Sequence, residues 1–214
     1  MANIETSYGL RPLSRQGAST SSTGMTEYRI TSSNSNPIFH GMMVIPLAAG
    51  VIDDLQAAAG GSVSIVGVFG GCEYVSDTTG KPVWSNYWPG SGADSDYPVK
   101  AFVYDDPNQL FRIATSNVVA ALNTEAEVRT SVFANIALAT GNSGSTSTGL
   151  SSGTADLNTV ATTNTLALRI MGILEDPANS DFTSAGIPLI VRINNHFNAP
   201  TGSIAAGTVS TTGV

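Results

Sequence analysis

Two stretches near the C-terminal end alternate apolar and polar residues with a period of two. That period constrains the fold more than any other feature of the chain. In Thr165–Leu174, the positions Leu166, Leu168, Ile170 and Leu174 share one face, against Ala167, Arg169 and Met171. In Ile187–Asn194, Ile187, Leu189, Val191 and Ile193 face one way, and Pro188, Arg192 and Asn194 the other. A period of two belongs to a strand with one buried face. Val63–Phe69, Val99–Tyr104 and Leu110–Thr115 carry the same signature, and Glu27–Thr31 and Ile38–Pro46 are weaker matches. Strands of this kind need a second layer to cover their apolar faces. The expectation is a mainly β fold, a β-sandwich or small β-barrel, with helix below roughly 15% of residues.

The connections divide the chain. Residues 1–28 are polar and aperiodic, which predicts an extended N-terminal arm that burial alone does not hold. Residues 29–197 read as one β-rich domain. Within it, residues 140–164 are dominated by Ser, Thr, Gly and Asn and read as a long flexible loop. Residues 198–214 form a polar tail. Ser, Thr and Gly make up about a third of the 214 residues, which fits β-structure with long surface loops. Asp105-Asp106-Pro107-Asn108 has the signature of a type I turn, so Val99–Tyr104 and Leu110–Thr115 are predicted to pair as a hairpin. Thr124-Glu125-Ala126-Glu127 fits a capping box, but Val132, Phe133 and Ile136 are β-formers. A short helix and a strand both fit there.

Charge narrows the partners. The chain carries 9 basic and 16 acidic residues, a formal net charge of −7. The basic residues are dispersed in sequence, which argues against a nucleic-acid surface. Residues 1–30 are net +1 and the remainder net −8. The longest apolar runs, Met42–Val51 and Ile187–Val191, are far short of the ~20 residues of a membrane helix, so no membrane partner is expected. Met1–Thr6 has no basic or apolar leader character, and the expectation is a chain made in the cytoplasm. A single cysteine, Cys72, excludes an intrachain disulfide.

Candidate chemistry is sparse. Gly149-Leu150-Ser151-Ser152-Gly153 matches the nucleophile-elbow pattern, but it sits in a Ser/Thr/Gly-rich stretch without the strand and helix that an elbow requires. His40 and His196 are far apart and show no metal-ligand spacing. Cys72 lies in a Gly-rich β-like run and reads as a buried, inert thiol. Asp94, Asp96, Asp105 and Asp106 lack the ligand spacing of a calcium loop and read as turn residues. The expectation is a protein without catalytic residues, metal or cofactor. The remaining signal is aromatic: Trp84, Tyr87 and Trp88 hold both tryptophans within five residues, as a core cluster or as an interface.

Several motifs, taken in their order, carry a resemblance. They are Tyr8-Gly9-Leu10-Arg11-Pro12, then Gly67-Val68-Phe69-Gly70-Gly71-Cys72-Glu73-Tyr74, then Tyr87-Trp88-Pro89-Gly90 and Tyr104-Asp105-Asp106-Pro107. The loop Gly141–Ser152 and Ile193-Asn194-Asn195-His196 complete the set. Over residues 7–197 the chain resembles small structural proteins of tailed bacteriophages that look like head decoration (cement) proteins. The resemblance implies a non-enzymatic virion protein on the head exterior. Its partners would be the major capsid protein and further copies of itself, as a homotrimer. The tail after Phe197 is longer than such proteins lead one to expect. Partner-contact candidates are Tyr8, Leu10, Arg11, Pro12, Leu13 and Arg15 in the arm, and Trp84, Tyr87 and Trp88. Alternatives are the major capsid protein itself, a tail or fibre module and, remotely, a hydrolase. A major capsid protein normally carries a long spine helix, and no long amphipathic helix is evident here.

Overall fold

The structure is a computed structural model and describes residues 3–5, 7–17, 24–55, 64–139 and 143–199. In chain order the elements are β1 (Arg11–Arg15), β2 (Thr26–Ile30), β3 (Met43–Pro46), β4 (Ile52–Asp54), β5 (Gly67–Val75), β6 (Pro82–Ser85), β7 (Val99–Tyr104) and β8 (Gln109–Ala114). There follow α1 (Glu125–Thr130), β9 (Asn135–Ala139), β10 (Gly144–Ser145), β11 (Leu150–Ser151), β12 (Thr154–Ala161), β13 (Leu168–Ile173), a 3₁₀ turn (Pro177–Asn179) and β14 (Pro188–Ile193). Of the described residues 44% are in strands and 5% in helices, so the fold is mainly β.

Two antiparallel sheets form a β-sandwich. The first runs β1-β8-β14-β13-β9-β12. The second runs β2-β7-β5-β3-β4, with β6 continuing beside the far half of β5. The first sheet bends until Thr115, just past β8, bridges Ala155 of β12. Alternating residues of β8 (Phe111, Ile113), β14 (Leu189, Val191, Ile193) and β13 (Leu168, Ile170) point into one core with Met43, Ile65 and Val68 from the second sheet. A second core lies on the opposite face of the second sheet. There Val99, Ala101, Val103, Phe69 and Cys72 pack against Ile38, Phe39, Met42 and Trp88. The second sheet is therefore covered on both faces along Ile65–Phe69, which explains a strand whose two faces are equally apolar.

Several expectations need correction. The N-terminal arm is part of the body. β1 pairs with β8, β2 pairs with β7, and Leu10 is 1% exposed in the inter-sheet core. Gly9 makes this entry possible. It sits at φ +72°, and a Cβ there would lie 2.6 Å from the Gly41 carbonyl oxygen, so only glycine lets the two backbones approach while Leu10 N–H donates to Gly41 O at 3.0 Å. The loop at 140–164 holds a β10–β11 hairpin and then β12, whose Ala155 and Leu157 are buried. Val99–Tyr104 and Leu110–Thr115 are strands, but not a hairpin. β7 lies between β2 and β5, whereas β8 lies between β1 and β14, so the Asp105–Asn108 turn carries the chain from one sheet to the other. The 117–139 stretch resolves into α1 followed by β9. Thr124 and Glu127 form the capping box, and Val128 is buried beneath the helix. Residues 18–23 of the arm, Val63, residues 140–142 and the tail 200–214 lie outside the described residues.

Candidate interaction surface

The sequence candidates separate by burial. In the first group, Leu10 is core. Pro12 lies opposite Phe111 in β8 and is half-buried, as are Tyr8 and Leu13. The Arg11 guanidinium stacks over the Tyr8 ring at 3.5 Å, and Arg15 pairs with Asp106 at 2.5 Å. Burial raises the Tyr8 phenol above its usual range, reinforced by Glu5 and opposed by Arg112, which donates to its oxygen at 2.9 Å. These residues are engaged within the chain and do not form a free tether.

The aromatic triplet also divides. Trp88 is fully buried, its indole N–H donating to Asn34 O at 3.2 Å and its ring edge-on to Tyr74 at 5.4 Å. Tyr87 is half-buried and stacks on Phe39 at 5.4 Å. Trp84 is 67% exposed and stacks on Phe102 at 4.8 Å and 13°.

Among the described residues, no other layer covers the part of the sheet face that carries the Trp84–Phe102 pair. β7 sends Val99, Ala101 and Val103 into the second core, so Lys100, Phe102 and Tyr104 project from the opposite face. Tyr104 still reaches the inter-sheet core, but Lys100 and Phe102 lie farther along the strand, with Trp84 beside them. The register places Gly71 opposite Phe102 and Glu73 between Lys100 and Trp84. The indole of β6 reaches across β5 onto the Phe102 ring, while the missing Cβ of Gly71 leaves room for the Ser85 carbonyl oxygen, which would lie 3.0 Å from it. The shift in register at Phe69–Gly71 and the Gly71 φ of +142° belong to the same adjustment. Exposed Met25 lies over Gly70, whose missing Cβ leaves room for the Met25 sulfur. Glu27 and Arg29 of β2 complete the face, with Lys100 and Glu27 paired at 3.8 Å.

The result is a stacked aromatic pair and a thioether ringed by Glu27, Arg29, Glu73 and Lys100, two charges of each sign. An aromatic centre with a polar rim is the composition of a protein-contact hot spot. The stacking holds the indole in one orientation, which would lower the ordering cost of a contact made there. Phe102 and Met25 were missed in the sequence. The available signal was an aromatic residue on the polar side of an otherwise regular alternation.

The groups considered for catalysis have structural partners. The Ser151 hydroxyl oxygen accepts from Gly153 N–H at 3.0 Å, and the residue is buried on a two-residue strand rather than raised on an elbow. The His40 ring bonds Gly70 O through Nδ1 at 3.0 Å. Burial pushes the Cys72 thiol up to about 12, so the thiolate is absent near neutral pH. Asp94 and Asp106 cap Asp96 N–H and Asn108 N–H, and Asp105 accepts from Thr26 and Tyr28. Among the described residues, no three His, Cys, Asp or Glu side chains form a group that could hold a metal ion. No helix of the described residues is long and apolar enough to cross a membrane. Comparison with protein-family models, curated proteins and solved structures finds no match for this chain.

Proposed function

We propose that this chain is a non-enzymatic structural protein of a phage head, a decoration protein that docks on the outer face of the capsid lattice as a trimer and stabilises it. The observation that carries the reading is the uncovered Trp84–Phe102 face on a rigid β-sandwich. The ordered motifs of the sequence support it by resemblance. Among the described residues the only α-helix is six residues long, which favours this reading over a major capsid protein with a spine helix. The docking role passes to the Trp84 face, because the first residues are built into the sandwich. Deleting residues 2–24 would remove β1 and Leu10, so it would report on folding as well as docking.

The test is binding of the purified chain to undecorated heads. The wild type is expected to saturate lattice sites, and Trp84→Ala to bind about tenfold or more weakly while folding normally. Leu47→Ala, an exposed apolar residue of the β3–β4 turn, serves as control. Equal binding by Trp84→Ala and the wild type would move the docking site elsewhere. A handful of copies per purified particle would move the protein to the tail, and none would remove it from the virion.

A further inference from the structure

We propose that the outer face of the first sheet is a contact face for a second copy of this chain, met by an acidic surface of that copy in a heterologous arrangement. The topology gathers arginines that the sequence disperses. Arg11 of β1 lies opposite Arg112 of β8, which lies opposite Ile190 of β14. Two residues along β14, Arg192 lies opposite Arg169 of β13. The core-facing residues of these strands are Phe111, Ile113, Leu189, Val191 and Ile170, so the four arginines share the face turned away from that core, where Arg11 is exposed and Arg112, Arg169 and Arg192 are half-buried.

Four of the nine basic residues of an acidic chain thus stand on one sheet face. Arg112 is neutralised by Glu5, its Nε donating to the carboxylate at 2.7 Å. Arg11 and Arg192 meet neutral partners among the described residues, the Tyr8 ring and Gln16 Oε1 at 3.2 Å. Arg169 donates to Asn135 Oδ1 at 3.0 Å, and its pKa is lowered by burial and by the charge of Arg192 across the strand pair. Like charges directly opposite each other in a sheet are unfavourable. An incoming carboxylate would relieve that repulsion.

The occupant follows from charge. Arg11 and Arg192 contribute +2 to a total of −7, so the rest of the chain carries −9. A polyanion such as nucleic acid would gain this face and be repelled by everything around it. A second copy offers the complement directly, for example Glu125 and Glu175, two carboxylates that share the one guanidinium of Arg129. Leu13, Leu110 and Ile190 are half-buried on the same strands, and arginine among apolar residues fits a protein contact. A contact between two different surfaces closes into a ring when the rotation permits, and this is how the contact would build the trimer of the proposed function, on which that step rests.

The test is sedimentation of the purified chain without heads, at low and high salt. Self-association that weakens with salt is expected, and Arg11→Glu or Arg192→Glu should weaken it about tenfold or more while the fold is unchanged by circular dichroism. Arg192→Lys should retain association. Its zero-length carbodiimide coupling, in a mixture of isotope-labelled and unlabelled chains, should link position 192 to carboxylates of the other copy. A chain that stays monomeric at all salt concentrations would overturn the contact, as would association indifferent to both reversals. Head binding is scored separately. A monomer that still docks through Trp84 overturns this contact and leaves the docking reading standing.

Discussion

Replacing Leu10 by Ala removes the branched end of a side chain that is 1% exposed and packed between the sheets. For a buried leucine of this kind the loss is about 3 kcal/mol, from lost transfer energy and the cavity left behind. The site is poorly placed to collapse, because Gly9 N–H and Leu10 N–H are bonded to Gly153 O and Gly41 O on either side. With a urea m-value of about 2 kcal/mol/M, the midpoint should fall by about 1.5 M at unchanged slope. Gly9→Ala should also destabilise, because an L-residue at φ +72° costs ~1–2 kcal/mol before the clash with Gly41 O is counted. The assay is equilibrium urea denaturation followed by tryptophan fluorescence and circular dichroism. Leu47→Ala is the exposed control. A shift for Leu10→Ala below about 0.25 M, the size expected of a surface residue, would refute the placement of the first residues in the core.

Trp84→Ala should change stability by only about 1 kcal/mol, the worth of one exposed aromatic stack, so a larger loss in urea denaturation would contradict the assignment of Trp84 to the surface. His196 is 4% exposed, accepts Asn198 N–H on Nδ1 at 3.1 Å and leaves Nε2 buried without a partner among the described residues. Burial lowers its pKa from 6.5, against the pull of Asp105 and Asp106. Folding therefore favours the neutral ring. That contribution to stability is complete above pH 6.5 and is lost as pH falls through the depressed folded value. Urea midpoints should drop between about pH 7 and pH 5 in the wild type and drop less in His196→Gln; equal drops would assign the effect to other groups. Cys72 should resist alkylation in the native protein and react only at the rate of unfolding, and fast labelling would contradict its burial.

What the sequence revealed follows from which physical signal each element carries. β7 and β14 were legible because Val99, Ala101 and Val103, and Leu189, Val191 and Ile193, alternate cleanly with polar or half-buried neighbours. The capping box was legible because it is a local hydrogen-bond pattern, but the β-formers that follow it left a strand equally open. β1 was hidden because Arg-Pro-Leu-Ser-Arg has no regular alternation and its main core anchor, Leu10, lies just outside it. β12 was hidden because only Ala155 and Leu157 mark its inner face within a run of Thr, Asn and Asp. The Asp105–Asn108 turn reversed the chain as its residues required, but turn chemistry is local and does not say which sheet receives the next strand. The same limit separates Trp84 from Trp88. Their identities are equal, and only the tertiary position of the Trp88-Pro89-Gly90 segment under the second sheet decides which is core. The arginine face was beyond reach for the same reason, since its members come from β1, β8, β13 and β14.

The most direct test of the docking account is a reconstruction of the intact phage particle at a resolution that traces strands. The account predicts this β-sandwich on the outer surface of the head, arranged about three-fold or quasi-three-fold axes, with Trp84 and Phe102 pressed against the shell. Density for the chain in the tail, or on the head with the Trp84–Phe102 face turned to solvent, would contradict it.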